Sequence, residues 1–172
     1  EVGDSLLDLP EEEWLSRLRI FSTDRIMKII KKDLESLGVY MDIFTFENEI
    51  NVSGKIQESM KLLEEKKLIY SGILEPPKGK LLDDWEPREQ TLFRSTNFGD
   101  DVDRPVKKFD GGWTYFAPDI AYHFDKVKRG YDELIDIFGA DHSGYVKRMK
   151  AAVNALSDNT VIFDIKLCQL VR

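Results

Sequence analysis

The sequence has almost no cysteine, and it has no apolar run long enough to cross a membrane. Cys168 is the only cysteine among 172 residues, so no disulfide can form within the chain. Because Cys168 lies in an apolar run, we expect a small buried side chain in a reducing compartment. Every apolar run is shorter than the roughly 18 residues that a spanning helix needs. No secretory signal is visible at the start, so we expect a cytoplasmic protein.

Several sequence motifs of catalytic and nucleotide-binding proteins are also missing. The sequence has no Gly-x-x-x-x-Gly-Lys-Ser/Thr phosphate loop, no Gly-x-Gly-x-x-Gly and no Gly-x-Ser-x-Gly. A metal site could be imagined from Asp119, His123, Asp141 and His142, but their spacing matches no known ligand set. We therefore predict no metal site in this chain.

The composition is that of a globular domain with a slight acidic excess. Hydrophobic residues make up 42% of the chain, which is enough to form a core. The 172 residues suit one domain, or one domain with an insertion. A formal net charge of -7 argues against a generally basic nucleic-acid surface, although not against a local one. Because the first residue is Glu1 rather than methionine, we interpret the chain as an excised piece of a longer protein.

Helical and strand patterns alternate at both ends of the chain, which predicts an α/β fold. A helix capped by Ser22 or Thr23 and stopped by Gly38 precedes a β-branched and aromatic strand over residues 39–46. Near the other end, an apolar strand over 133–139, a helix over 143–156 and a strand over 160–171 follow one another. Strand–helix–strand order implies a parallel, right-handed crossover.

The middle of the chain predicts a mixed α+β insertion over about 47–117. It contains a helix over 53–67, short strands over 68–74 and 91–96, a loop over 75–89 rich in proline, glycine and charge, and a hairpin over 103–116 that turns at Asp110-Gly111-Gly112. The fold is thus a parallel-sheet layer interrupted by this insertion.

Ligands of open α/β sheets bind beyond the carboxyl ends of the strands, which selects two groups of residues. Glu47 follows the strand over 39–46, although it could equally be a plain loop carboxylate. Gly139 ends the strand over 133–139 and allows a close backbone approach. Asp141 can accept a hydrogen bond from a ribose hydroxyl or cap a helix. His142 can contact a carboxylate, or it can be an exposed histidine at a helix end.

A second group of polar and aromatic residues surrounds the start of a helix near Pro118. Asp119 can be an acid stabilised by the helix dipole, by about 0.3–1 kcal/mol. With Tyr115 and Tyr122 it can instead form a cation site with an aromatic wall and a carboxylate floor. With Glu47 in the same pocket, a planar guanidinium would fit well. His123, on the same helix, is expected at the surface.

These stretches resemble class I arginyl-tRNA synthetases of the bacterial type. The resemblance runs from about Leu74 to Ala152 and is most specific in "TYFAPDIAYH" and "GADHSGY". Upstream, "GVYMDIFTFENEI" fits the family less sharply. The resemblance implies a partial Rossmann-type catalytic domain, formed by residues 1–46 and 118–172, with 47–117 as an inserted connective segment.

The family joins arginine to its tRNA with ATP as co-substrate, and the resemblance implies the same for the parent of this chain. Arginine is adenylated at its carboxylate with release of pyrophosphate, and the arginyl group then moves to the terminal adenosine of the tRNA. The implied partners are arginine, ATP with Mg²⁺ in the full-length enzyme, and the arginine tRNA. We expect a monomer with no tightly bound cofactor in this piece.

The resemblance also implies roles for individual residues. Asp119 would pair with the guanidinium of arginine, Tyr115 would line it, Glu47 would be a second acid facing it, and Tyr122 would border the pocket. The remaining matches are His142, near the backbone end of the amino acid, and Gly139 and Asp141, near the ribose of ATP.

One departure from the family concerns the groups that hold the triphosphate. Neither a His-Ile-Gly-His-like nor a Lys-Met-Ser-Lys-Ser-like motif is present. Such motifs stabilise the charge that moves during the transfer. We therefore assign no catalytic residue and expect the chain alone to be inactive, whereas its parent is a ligase. The alternatives are a non-catalytic protein- or RNA-binding module derived from a synthetase, and a different α/β nucleotidyl-transfer enzyme.

Overall fold

A computed structural model describes residues 3–74 and 88–170 of the chain, which has an α/β fold. The chain divides into two compact units, Glu1–Phe44 and Thr45–Arg172. The helices and strands are, in chain order, α1 (Glu11–Ser36), α2 (Glu47–Val52), α3 (Lys55–Glu65), β1 (Ile69–Gly72), β2 (Gln90–Phe93), β3 (Arg104–Lys107), α4 (Phe116–Lys128), β4 (Glu133–Gly139), α5 (Val146–Ser157) and β5 (Ile162–Cys168). Short 3-10 helices occur at Gly3–Asp8, Ser95–Phe98 and Ala140–Tyr145. The loop predicted over 75–89 lies, for residues 75–87, outside the described residues.

The first unit consists mainly of α1, a helix of 26 residues. The prediction that Ser22 or Thr23 caps this helix is wrong, because both lie inside it. No glycine or proline interrupts residues 11–36, so helical hydrogen bonding continues past these two hydroxyl residues. The helix begins after Pro10 with three consecutive glutamates, which favour the positive end of the helix dipole.

The C-terminus of α1 is a Schellman motif, and the strand predicted after it is absent. Gly38 has φ 75°, and the amide of Val39 donates to the carbonyl of Leu34, so the predicted stop at Gly38 is confirmed. The strand prediction for 39–46 is wrong: no strand is assigned there, and Tyr40 is 76% exposed. A β-rich composition produces a strand only where a neighbouring strand supplies hydrogen bonds, and none pairs with 39–46 within the described residues.

In the second unit, the predicted insertion contains a three-stranded antiparallel sheet of order β1-β2-β3. Ile69 pairs with Phe93, and a bulge lies between Thr91 and Leu92. The predicted turn of the hairpin is confirmed, since the amide of Lys108 donates to the carbonyl of Gly112. Its second strand, however, is reduced to a single antiparallel bridge between Lys107 and Trp113.

The end of the chain forms the predicted parallel strand pair. β4 occupies the predicted residues, and β5 pairs with it in parallel from Glu133 opposite Ile162 to Gly139 opposite Cys168. Helix α5 connects the two strands, so the predicted strand–helix–strand unit is confirmed. The prediction of a buried Cys168 is wrong: the thiol is free and exposed at the end of β5.

A single hydrophobic core joins the parallel strand pair to helices α3, α4 and α5 and to β2 and β3. Helix α3 faces this core with Ile56, Met60 and Leu63, which are all buried. The opposite face of the parallel pair is uncovered: Ile135, Ile137 and Ile162 are each more than half exposed. Helices α3, α4 and α5 of the second unit pack on the face that carries the core, and these isoleucines are in contact with solvent.

Among the helices that the structure describes, none has the length and apolar character that would let it cross a membrane.

Candidate functional site

A cavity of about 640 Å³ lies where α4 begins and β4 ends. This volume is in the range of small-molecule binding sites. Its wall is formed by acidic, aromatic and apolar side chains, namely Glu47, Tyr115, Asp119, Tyr122, His123, Asp136, Ile137, Phe138, Gly139, His142, Tyr145 and Met149. Six of the seven residues selected from the sequence are among them, and Asp141 is not.

Asp119 is the half-buried acid of this cavity. It lies in the first turn of α4, and its carboxylate makes no hydrogen bond or ion pair with any residue that the structure describes. Burial raises the pKa of Asp119, and the charge of Glu47 raises it further. The nearby His123, Arg148 and His142 act in the opposite direction but do not cancel the rise. Within residues 3–74 and 88–170, the carboxylate of Asp119 thus has neighbouring charges but no direct hydrogen-bonding partner.

Glu47 reaches the same cavity by a route that the sequence did not indicate. It was selected because it follows a predicted strand, and that strand is absent. Instead, Glu47 is the first residue of α2, where an acid is favoured by the helix dipole. Its side chain is exposed and lines the cavity together with Asp119. A second, smaller cavity of about 190 Å³ adjoins the first and shares both acids.

The two tyrosines differ in their surroundings. Tyr115 immediately precedes α4 and is 82% exposed, so it borders the cavity as a solvent-facing ring. Tyr122 is half-buried on α4, and the ammonium of Lys126 lies 4.7 Å from its ring centroid. An aromatic surface is thus present on the α4 side of the cavity.

The residues that follow β4 divide between the cavity and the surface. Gly139 lines the cavity, and a Cβ at this position would collide with the carboxylate of Asp141. Asp141 itself is exposed. His142 lines the cavity, and its ring is flanked by those of Phe138 and Tyr145, with centroids 6.2 Å away in both cases.

Among the residues of the cavity wall that the sequence interpretation did not select are a histidine and an aspartate that contact each other. The expectation that His123 lies at the surface is wrong: its side chain is buried, 4% exposed. Its Nε2 lies 2.7 Å from Oδ2 of Asp136, which is buried on β4. Two signals were available, since His123 is four residues after Asp119 on one helix face, and Asp136 occupies an inward position of the alternating strand β4.

Asp136 has two side-chain partners, one at each carboxylate oxygen. The ammonium of Lys126 donates to its Oδ1 over 2.5 Å, on the side opposite to His123. Burial raises the pKa of Asp136, but the hydrogen bonds and charges of His123 and Lys126 outweigh it and lower the pKa overall. Asp136 is therefore an ionised acid beneath the cavity, in contrast to the unpaired Asp119.

Across residues 3–74 and 88–170, no group of three or more His, Cys, Asp or Glu side chains is arranged to hold a metal ion.

The chain is similar in sequence to arginine–tRNA ligases along its whole length. No family model matches the chain. It is 63% identical to the arginine–tRNA ligase of Ruegeria pomeroyi over 100% of the chain and 30% of that protein. It is 65% identical to the arginine–tRNA ligase of Roseobacter denitrificans over 99% of the chain and 29% of that protein.

A solved structure leads to the same family. A Campylobacter jejuni protein assigned to the arginyl-tRNA synthetases superposes on 94% of the chain with a TM-score of 0.72 and 33% identity, over 32% of its own length. The chain is thus similar along its whole length to a segment of arginine–tRNA ligases, and it spans about 30% of the length of the curated relatives that it matches.

Proposed function

We propose that the protein to which this segment belongs is an arginine–tRNA ligase, and that the cavity at the start of α4 binds the arginine side chain. The observation that carries this proposal is the carboxylate of Asp119, which is half-buried and has no partner among the described residues. The nearby charges of His123, Arg148 and His142 do not offset the burial of this acid, so a bound cation in direct contact with it would stabilise its ionised form. The arginine substrate is such a cation.

Two acids favour a guanidinium over other cations. Asp119 and Glu47 line one cavity, so a bound cation meets two carboxylates. A guanidinium is planar and carries five N–H donors, so it can contact both acids at once, whereas the ammonium of lysine is a compact point charge. A neutral side chain of the same shape would leave Asp119 buried and unpaired, which is strongly unfavourable.

The other residues selected from the sequence are assigned to the faces of the guanidinium and to the remaining parts of an arginyl adenylate. Tyr115 and Tyr122 offer aromatic surface to the flat guanidinium. We assign His142 to the backbone end of the amino acid, because it lies on the 3-10 helix beyond β4 rather than on α4. We assign Gly139 and Asp141 to the ATP ribose, since they follow the carboxyl end of a parallel strand.

The division of the chain in this proposal follows its two sheets. The parallel pair β4–β5 falls within residues 118–172, which we assign with residues 1–46 to a Rossmann-type catalytic domain. The antiparallel sheet β1–β3 falls within residues 47–117, which we assign to an inserted connective segment. The change from parallel to antiparallel pairing supports this boundary.

The full-length enzyme would use ATP and the arginine tRNA in the cytoplasm, where translation takes place. We also propose that the full-length enzyme acts as a monomer. Mg²⁺ would accompany the ATP phosphates, but we assign no residue of this segment to it. The segment alone would be inactive, because the two class I motifs that hold the triphosphate are not among its 172 residues.

The proposal is tested by calorimetry and arginine-dependent ATP–pyrophosphate exchange with the full-length protein. We expect arginine to bind and to support exchange, and lysine and citrulline, the neutral isostere of arginine, to do neither at comparable concentrations. If citrulline bound as tightly as arginine, the cavity would not recognise a cation. If no amino acid supported exchange, the alternative of a non-catalytic binding module would be favoured.

A further inference from the structure

Both ring nitrogens of His123 face atoms that can only accept hydrogen bonds. Nδ1 lies 2.7 Å from the backbone carbonyl oxygen of Asp119, and Nε2 lies 2.7 Å from Oδ2 of Asp136. A neutral imidazole carries one N–H and could satisfy only one of these acceptors. If Asp136 is ionised, both contacts are hydrogen bonds only when the ring carries two protons.

The surroundings of Asp136 keep it ionised. The ammonium of Lys126 donates to its other oxygen, so the carboxylate lies between two donors. These partners lower the pKa of Asp136 in spite of its burial. An ionised carboxylate is therefore the acceptor for Nε2, and the ring of His123 must donate from both sides.

The ring is also enclosed by aromatic side chains that offer it no other hydrogen bond. Tyr122 meets its edge at a centroid distance of 5.7 Å, and Phe163 of β5 does so at 5.5 Å. The charged groups near His123 are Asp119 and Lys126 of its own helix and Asp136 of β4. The two hydrogen-bonding contacts and the two aromatic contacts fix the ring one helical turn after Asp119.

We propose that His123 is a doubly protonated positioning residue, which keeps the Asp119 carboxylate ionised and oriented for the substrate guanidinium. The proposal deepens the arginine–tRNA ligase function stated above and rests on it. His123 does not contact the substrate in this assignment; it acts through Asp119, whose backbone oxygen it holds and whose charge it faces.

The electrostatic balance at Asp119 explains why such a residue is needed. Burial and the charge of Glu47 from α2 both favour the protonated acid, which could not pair with a guanidinium. Arg148 from α5 and His142 from the 3-10 helix oppose this, and the charge of His123 is the largest of the opposing influences. Removing that charge raises the pKa of Asp119, so a higher pH is then needed to ionise the empty site.

The experiment compares variants of the full-length enzyme in arginine-dependent ATP–pyrophosphate exchange between pH 5 and 8.5. We expect His123→Gln to raise KM for arginine about tenfold with kcat within about twofold, and to move the acid limb of kcat/KM up by about one pH unit. Asp136→Asn should act in the same direction, and the double variant should be no worse than either single variant by more than about twofold.

Asp125→Asn is the matched control, because Asp125 lies on the same helix and pairs with Lys55 and Arg129 away from the cavity. It should leave KM for arginine and the acid limb unchanged. If the wild type showed no arginine-dependent exchange, the proposed function itself would fail. If the wild type depended on arginine but His123→Gln kept its KM and acid limb, only the role of His123 would be refuted.

A spectroscopic measurement keeps the proposal testable even if a variant does not fold. In the wild-type enzyme with ¹⁵N-labelled histidine, both ring nitrogens of His123 should carry protons at pH 7.5. A neutral ring with one bare nitrogen at that pH would overturn the proposal.

Discussion

Lys55 and Asp125 are 70 residues apart in the chain, and their side chains form an ion pair of 2.6 Å between α3 and α4. Asp125 also accepts from Arg129 of its own helix over 3.0 Å. Burial raises the pKa of Asp125, but these two partners outweigh it and lower the pKa overall. The pair joins α3 to α4 at a point outside the cavity wall, so its contribution is to the packing of these two helices.

The first prediction concerns this connection. Lys55→Met should destabilise the contact between α3 and α4 by about 1 kcal/mol, because it leaves a partly buried carboxylate with one partner fewer. Lys128→Met, which removes the more exposed pair with Glu58 between the same helices, should cost less than about 0.5 kcal/mol. Hydrogen exchange of the α3 and α4 amides in the full-length enzyme measures both. If both variants lost the same stability, burial of the Lys55–Asp125 pair would not increase its contribution.

The second prediction is that Asp119 lowers stability while it supports binding. Its pKa is raised in the folded protein, so above its ordinary value near 3.8 the ionised form costs folding free energy. Asp119→Asn should therefore raise the melting temperature of the unliganded enzyme by a few degrees. It should also raise KM for arginine at least about 100-fold, since the buried charge pair is lost.

The liganded state provides the check on this second prediction. Arginine should raise the melting temperature of the wild type but leave that of Asp119→Asn nearly unchanged at the same concentration. An Asp119→Asn enzyme that is less stable than the wild type without arginine would contradict the assignment of Asp119 as an unpaired acid.

The third prediction separates the nucleotide end of the site from the amino-acid end. Gly139→Ala keeps an extended backbone with φ -62°, which alanine adopts freely, but its Cβ would displace the carboxylate of Asp141. We expect KM for ATP to rise about tenfold, with a change of less than about twofold in KM for arginine. Gly144→Ala is the control, since a Cβ there meets no atom within 4 Å. A larger effect on arginine than on ATP would argue against the ribose assignment.

The fourth prediction concerns acid stability. Asp100 is buried, and Arg104 donates to both of its oxygens, at 2.7 and 2.6 Å. Burial raises the pKa of Asp100, but the guanidinium and the amide of Asp101 outweigh it, so the folded pKa lies below its ordinary value of 3.8. The stabilisation is present above pH 3.8 and is lost as the pH falls through the folded pKa.

Arg104→Gln isolates this contribution. We expect the variant to be less stable than the wild type at pH 6 and to lose less of its remaining stability between pH 5 and pH 3. The protection of β3 amides against hydrogen exchange at these pH values provides the measurement. A difference between the two proteins that stays constant with pH would refute the role of the ion pair.

The bounds of a helix or strand could be predicted from the sequence where a local pattern of residues determines them. The bounds of β4 were predicted at both ends, because a short apolar run ends at Gly139. Gly38 marked the end of α1 for a similarly local reason, since its φ of 75° is readily adopted only by glycine. The strand over 39–46 failed because a strand depends on a partner that composition does not reveal.

Part of the candidate site depends on contacts between residues far apart in the chain. Glu47 was selected for an incorrect reason, and it lines the cavity because α2 packs near α4. His123 was assigned to the surface because its acceptor, Asp136, lies on another element, 13 residues later. Spacing along one helix identifies a common face, but not whether that face is covered by a strand carrying an acid.

The three isoleucines on the open side of the parallel strand pair bear on how this segment can be handled at the bench. Parallel strands are normally packed against other elements on both faces of the sheet. Here the side chains of these isoleucines are exposed, and Ile137 is the most exposed of the three at 72%. In a purified sample of the segment, copies of the chain would associate through this exposed apolar face. Aggregation of the segment would therefore increase with protein concentration despite the net charge of -7. A carrier fusion, or threonine at the three positions, is the practical remedy.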